Sequence, residues 1–484
     1  MNMLNVSDTS ISDQTEQHQH IQQIFSQQKM EFLNAPYPDA DERIAKLLKL
    51  KRSILDFQEP LITALNADFG CRSRDDSLMG DIMPSVAAIN YAMKRVKKWM
   101  KPQRRHVNVM FLPAQAKVIY QPLGVVGIIV PWNYPLFLAF GPLMTALASG
   151  NRAMIKMSEF TPNTNKVFRQ LIASCFAESE VAVIEGEADV AAKFSETPFD
   201  HMIFTGSTQV GRHVMRAASE NLTPVTLELG GKSPALIAPD MPPKTAIQRL
   251  LWGKTLNSGQ TCVSPDYILC PEDKLEEVIK EARTQFQAMY PSPSTNPDYT
   301  SVINDRQYAR LNGLLKEVEN QGTRVENLSN DNSEALKSKR KIPLTLIINP
   351  SDDSLIMKEE IFGPLFPIIT YKTVENALAY IQQRPRPLAL YLFSFDKELQ
   401  NKCAYSTHSG ALTVNDAVMH VAQDDIPFGG IGPSGMGHYH GKEGFLTLSK
   451  AKPVFSQGRL FLGGVVHPPY GTFIHKLIYK LFIR

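Results

Sequence analysis

The first 20 residues show no apolar period and are filled with Ser, Asp, Gln and Thr, so residues 1–20 are expected as a mobile N-terminal arm. Near residue 39 the pattern changes. Ile44, Leu47, Leu48, Ile54 and Leu55 recur at helical spacing, and a second helical stretch through Ala87 to Trp99 runs into the basic segment Lys101 to Arg105. Val107 to Leu112 and Lys117 to Tyr120 flank Pro113 and read as two short strands of an arm reaching toward another subunit or domain. Between 125 and 229, short apolar runs alternate with helical stretches. Strands are expected near 125–130, 152–156, 181–184, 201–204 and 225–229. Strands joined by crossover helices are parallel and covered on both faces, which predicts a doubly wound α/β sheet. The alternation resumes after Ser233 and continues to about 415, predicting a second α/β domain, with 240–265 joining a helix to the turn that carries Cys262. Pro, Asn and Ser cluster at 291–298, and the polar run 326–340 is expected as exposed surface.

At 484 residues, 43% hydrophobic and 20% charged, the chain has room for two or three domains with sizeable cores. Its five cysteines (Cys71, Cys175, Cys262, Cys270, Cys403) form no C-x-x-C pair, and no apolar signal segment follows the N-terminus. A disulfide framework and secretion are therefore not expected, and a reducing cytoplasm is. Six of the 51 Lys and Arg but none of the 48 Asp and Glu lie in 444–484, so the net charge of +3 belongs to the tail. No nucleic-acid partner is expected. Residues 470–484 place Lys476, Lys480 and Arg484 on one helical stripe, with Phe473, Ile474, Leu477, Ile478, Leu481 and Phe482 around the rest. Such a helix is too short and too charged to span a membrane. It suits the face of an anionic membrane, the inner membrane face for a cytoplasmic protein, and it equally suits an apolar surface of its own or a partner subunit.

Two short signatures carry the chemistry: Leu227-Glu-Leu-Gly-Gly-Lys232 and Gly259-Gln-Thr-Cys262. A thiol adds to a carbonyl carbon, and a carboxylate activates the water that cleaves a thioester. Cys is also commonly a small buried hydrophobe, and only its neighbours raise Cys262 above the other four. A literal G-x-G-x-x-G at Gly430 to Gly435 lacks the strand before it, the helix after it and the acidic residue beyond, so it does not read as a dinucleotide fingerprint. Phe204-Thr-Gly-Ser-Thr-Gln-Val-Gly211 follows a predicted strand and opens a predicted helix, where free N–H groups suit a phosphate; an ordinary strand–helix turn would look the same. Lys156, Ser158 and Glu159 follow another predicted strand, at a sheet edge suited to ribose hydroxyls or to plain solvated charge. His438 and His440 form an H-x-H pair that no further ligand completes, so no metal site is expected.

Taken together, Pro131-Trp-Asn-Tyr-Pro135, Lys156-Met-Ser-Glu159, Phe204-Thr-Gly-Ser207, Leu227 to Gly231, Gly259 to Cys262, Glu359-Glu-Ile-Phe-Gly-Pro364 and Pro427-Phe-Gly-Gly430 resemble the NAD(P)-dependent aldehyde dehydrogenase superfamily, over about 40–455. Gly259 to Cys270, Asn415 to His420 and Ser434 to Gly441 resemble its class 3 and fatty-aldehyde branch, which includes bacterial coniferyl aldehyde dehydrogenases. Pro131 before Trp132 departs from the class 3 pattern.

The resemblance implies two doubly wound α/β domains plus a small β oligomerisation arm. A cofactor domain would span 21–228, with 104–121 in the arm, and a catalytic domain 229–425. Residues 426–455 would return to the cofactor domain and oligomerisation segment, leaving 456–484 as the tail. It further implies oxidation of an aromatic or long-chain aldehyde to the acid, with Cys262 as nucleophile, Asn133 and the Cys262 N–H at the oxyanion, and Glu228 activating water. Trp132, Lys156, Ser158, Glu159, Gly206, Ser207, Gly211, Glu360 and Phe362 would surround NAD, with NADP left open, in a homodimer. Two alternatives stand beside this reading: acyl transfer to coenzyme A, which needs no base for water and so leaves Glu228 without a task, and a retired membrane-surface scaffold, which leaves Cys262, Glu228 and Asn133 without one.

Overall fold

The computed structural model describes residues 7–459 and 463–483. Three sheets organise them. The first runs in the order Gly435–Met436, Val225–Leu229, His201–Gly206, Val125–Ile129, Arg152–Lys156, Val181–Ile184. Its last five strands pair in parallel, and Gly435–Met436 joins antiparallel beside Val225–Leu229. The second sheet runs Arg324–Asn327, Thr345–Ile348, Leu365–Tyr371, Tyr267–Pro271, Pro234–Ile237, Ala389–Phe393, Ala411–Val414, with only its first pair antiparallel. Both are doubly wound α/β sheets, as the alternation of apolar runs and helical stretches predicts.

The strands of the first sheet are short and apolar on both faces because helices cover both sides. Val125–Ile129 is buried along its whole length, and so is the helix Phe137–Ser149 beneath it. One apolar cluster joins Leu47, Ile128 and Leu147 to Ile268 and Tyr391, so the two sheets share a core. A third, antiparallel sheet of Gln103–Arg105, Gln115–Pro122 and Ser449–Ser456 projects from this body.

Three expectations are corrected. Residues 7–20 belong to a helix, Ser7–Asn34, rather than a mobile arm; residues 1–6 of that arm lie outside the described residues. Ile21, Ile24 and Phe25 in the second half of this helix are buried against the first sheet, which anchors a first half that carries no apolar period of its own. The arm strand expected at Val107–Leu112 falls instead at Gln103–Arg105, and Val109–Phe111 forms a 3₁₀ turn. The stretch 326–340 is mostly exposed, yet Leu328 and Leu336 are buried and fasten it to the body. In the tail, Phe473–Phe482 is helical; Arg484 lies outside the described residues. Among the described residues no helix is long and apolar enough to cross a membrane.

Candidate active site

In the first sheet the chain proceeds from Val125–Ile129 outward through Arg152–Lys156 to Val181–Ile184, then returns to the other side of Val125–Ile129 with His201–Gly206. That reversal opens a crevice at the carboxyl ends of the two adjacent strands, the place where open α/β sheets bind ligands. A cavity of about 290 Å³ occupies it. Trp132, Asn133, Gly206, Ser207, Glu228, Cys262, Glu360 and Phe362 line it, so eight of the residues singled out in the sequence meet in one space. Pro131, Thr205 and Gly230 from the same motifs, with Gln307 and Arg310 from outside them, complete the wall.

Cys262 follows a helix, Pro243–Thr255, that ends in a strained turn in which Asn257, Ser258 and Gly259 all take positive φ (50°, 52° and 74°). Gly259 is obligatory, since a Cβ there would lie 2.5 Å from the Gly363 carbonyl oxygen. Gln260 fastens the turn from beneath: its amide donates to the Asn257 and Ser301 carbonyls and accepts from the Ile303 N–H. Burial, and then the nearby Glu360 and Glu228 carboxyls, push the Cys262 thiol up to about 12, while the N–H groups of Cys262 and Val263 oppose that rise. The same two N–H groups face the sulfur that negative charge would leave.

Asn133 is buried, and its side-chain amide donates to the Gln260 carbonyl at 3.1 Å, which aims it at the cysteine turn. Arg72 holds the other side of this residue. It is fully buried, donates to the Asn133 carbonyl at 2.9 Å and pairs with Asp81 at 2.8 Å. Asp81 in turn accepts the N–H groups of Leu136 and Phe137, where the helix after Asn133 begins. No sequence pattern signals Arg72 or Asp81, because their partnership spans separate elements.

Glu228 sits in Val225–Leu229, opposite Thr205 on one side and Gly435 on the other. Both carboxylate oxygens are buried without a hydrogen-bond partner, and burial holds the group well above the usual carboxylate range. The glycines of the Gly430–Gly435 motif have a structural task here. A Cβ at Gly435 would lie 2.0 Å from the Leu227 carbonyl oxygen, and one at Gly430 would lie 1.9 Å from that of Ser434. They permit the tight turn that lays an extra strand along the Glu228 edge.

Across the cavity, Lys232 pairs with Asp266 and donates to the carbonyls of Ile356 and Glu359. Asp266 also accepts the Ile361 N–H, so this pair fixes the loop that presents Glu360 and Phe362. Phe362 packs edge-on against Trp132 at 5.3 Å between centroids. Burial and the Asp266 charge push Glu360 up to about 8, against a hydrogen bond from the Gly231 N–H.

Gly206 and Ser207 line the cavity where the helix Thr208–Ser219 begins, and Ser207 caps that helix by accepting the Val210 N–H. Gly211 is not part of the wall: it lies buried a turn into the helix, where a Cβ would meet Leu229 at 2.7 Å. Lys156, Ser158 and Glu159 stand at the carboxyl end of the neighbouring strand, outside this cavity. Lys156 donates two hydrogen bonds, to the Met157 and Gly186 carbonyls, and keeps a third N–H. A crevice with a strand–helix turn at Gly206–Ser207, the aromatic pair Trp132–Phe362 and the Cys262 thiol on one wall has the shape that a dinucleotide needs.

A model of the Aldehyde dehydrogenase family matches residues 9–454. The "Probable coniferyl aldehyde dehydrogenase" of Pseudomonas aeruginosa is 53% identical over 480 residues, covering 99% of this chain and 100% of that protein. Among solved structures, substrate-bound Staphylococcus aureus AldH superposes with a TM-score of 0.90 at 37% identity, covering 96% of this chain and 99% of the other. A Mycobacterium tuberculosis aldehyde dehydrogenase complexed with NAD+ gives 0.83 at 28% identity, covering 92% of each chain. The chain belongs to the aldehyde dehydrogenase family and is an aldehyde-oxidising enzyme.

Proposed function

We propose that the enzyme oxidises aromatic aldehydes of the coniferyl type to their carboxylic acids, with NAD as acceptor, through a thioester on Cys262. The observation that carries the mechanism is the convergence of Cys262, Asn133, Glu228 and the Gly206–Ser207 turn on one cavity. The near full-length likeness to a relative named for coniferyl aldehyde favours the aromatic substrate over a long-chain aliphatic one.

In this reading Cys262 reacts as the thiolate, its proton released beforehand to solvent: the sulfur bonds to the aldehyde carbon as the carbonyl π bond breaks, and the oxygen takes the charge. The Asn133 amide and the Cys262 N–H stabilise that oxyanion. Bound NAD would supply the hydride acceptor, held by Gly206 and Ser207 at the pyrophosphate, Glu360 and Phe362 at the nicotinamide end, and Lys156, Ser158 and Glu159 at the adenosine ribose. Loss of hydride from the former aldehyde carbon leaves the thioester; the ionised form of Glu228 takes a proton from water, whose oxygen attacks the thioester carbon, the C–S bond breaks, the acid leaves and the thiolate returns. A buried carboxyl without a partner is what this last step requires, and acyl transfer to coenzyme A would leave it idle. The test is NADH formation over a panel of coniferyl, benzyl and straight-chain aldehydes. Activity retained by Cys262→Ala would end the mechanism; a preference for straight chains would end only the substrate assignment.

We infer a homodimer built through the projecting three-stranded sheet, where Phe111 and Phe455 stack edge-on at 6.0 Å with over half their surface exposed. A reducing cytoplasm suits five free cysteines, one of them the nucleophile. Contact of the tail helix with an anionic membrane face completes the proposal, because its apolar residues Phe473, Leu477 and Leu481 are exposed.

A further inference from the structure

The loop that follows Val181–Ile184 is Glu185-Gly186-Glu187, and it opens the helix Ala188–Ser195, whose first turn contains Asp189. Lys156 pairs in register with Ile184, so this loop leaves the sheet directly beside the Lys156 to Glu159 segment. The contact is close: the Lys156 ammonium donates to the Gly186 carbonyl at 2.7 Å. Gly186 has φ +142°, and a Cβ there would meet Val190 at 2.6 Å, so the loop conformation is closely set. Glu185, Glu187 and Asp189 thus follow the strand that pairs with Lys156, and Glu159 lies three residues beyond Lys156. Arg169, 3.4 Å from Glu185, is the second cation. Lys193, four residues beyond Asp189, is paired with Glu196, so the four carboxylates of this rim face Lys156 and Arg169.

Asp189 in the first turn complements the helix dipole, yet neither it nor Glu187 is used up by capping. Glu187 stands at its N-cap without accepting a cap hydrogen bond, and one Asp189 oxygen is buried with no donor. Carboxylate oxygens accept hydrogen bonds from ribose hydroxyls, whereas a 2′-phosphate brings only acceptors and about two negative charges at neutral pH.

We propose that Glu185, Glu187 and Asp189 form an acidic collar that restricts this enzyme to NAD by repelling the 2′-phosphate of NADP. The collar acts through space and in addition to any direct contact from Glu159. It rests on the reading that the adenosine ribose lies at Lys156 and Glu159.

The experiment measures kcat/KM for NAD and NADP with wild type, Glu159→Gln, Lys156→Met and the double variant Glu187→Gln/Asp189→Asn, at low and high KCl. Glu185 is left in place because removing it would free Arg169. Wild type is expected to favour NAD by about 100-fold or more, and the double variant to gain roughly 5–50-fold with NADP while changing less than about twofold with NAD. Through-space repulsion weakens as the screening length falls from about 10 Å at 0.1 M salt to about 3 Å at 1 M. High KCl should therefore narrow the wild-type preference and leave that of the double variant nearly unchanged. The collar is overturned if the double variant gains nothing with NADP, if salt leaves the wild-type preference intact, or if wild type uses both cofactors alike. The placement of the ribose fails separately, if Lys156→Met and Glu159→Gln leave KM for NAD unchanged.

Discussion

A Cβ on Gly230 would lie 2.0 Å from Oε2 of Glu360: the carboxyl that closes one end of the active-site cavity rests on the bare backbone of the strand end that follows Glu228. Gly230→Ala is expected to fold normally, because the displaced atoms are the far end of a flexible side chain. It should push Glu360 off its seat and reduce kcat/KM for NAD roughly tenfold, the cost of about 1.4 kcal/mol of lost positioning. Melting temperature and steady-state kinetics read the two effects apart. A drop in activity that merely tracks a drop in stability would contradict the positioning role.

Glu228 links deacylation to pH. Its carboxyl is raised well above the usual range by burial, so the folded state holds a proton that the unfolded state releases near pH 4.3. Stability supplied by the neutral, buried form is therefore complete below that pH and declines as pH rises toward the folded value. Glu228→Gln removes this titration. The variant should melt higher than wild type at pH 8 and lose that advantage by pH 4, which calorimetry over the pH series would show. In turnover the same variant should give one burst of NADH followed by slow release, as thioester accumulates. A linear time course with unaltered rate would remove Glu228 from deacylation.

Much of the cofactor sheet was legible from the chain. The runs at 152–156, 181–184 and 225–229 coincide with strands because fully buried parallel strands are continuous apolar segments flanked by polar turns. The nucleophile and its surroundings were legible as short motifs. Residues whose importance depends on partners far along the chain were not. Arg72 meets Asn133 across 61 positions, Lys232 meets Asp266 across 34, and the strand at Gly435 reaches Glu228 from the other end of the chain. The polar first half of Ser7–Asn34 has no period to read, and it is helical because Ile21, Ile24 and Phe25 anchor the second half.

Asn133 and Arg72 should separate catalysis from support. Asn133→Ala is expected to lower kcat by about 10²–10³ with a smaller change in KM, as for loss of one oxyanion donor. Arg72→Ala leaves Asp81 as an unpaired buried charge and should cost about 3–5 kcal/mol of stability. Arg72→Lys keeps the charge but not the fork that serves both Asp81 and the Asn133 carbonyl. That variant should remain folded and show reduced kcat. Equal kcat in Arg72→Lys and wild type would mean that Asn133 is held by Gln260 and Asn257 alone.

The tail helix Phe473–Phe482 combines a Thr472 cap, exposed Phe473, Leu477 and Leu481, and the cations Lys476 and Lys480 without a nearby acid in its sequence. Apolar side chains left in water beside cations suit the boundary between headgroups and acyl chains, where burial and attraction to anionic lipid act together. Full-length protein should therefore co-sediment with vesicles containing phosphatidylglycerol, bind neutral phosphatidylcholine vesicles less, and lose binding as salt is raised. Truncation to 1–465, or the triple change Phe473→Ser, Leu477→Ser and Leu481→Ser, should abolish binding while aldehyde oxidation in solution continues. If full-length and truncated proteins sediment alike, the tail does not hold the enzyme on lipid. A change in dimer stability on truncation would instead assign the same apolar residues to the partner subunit.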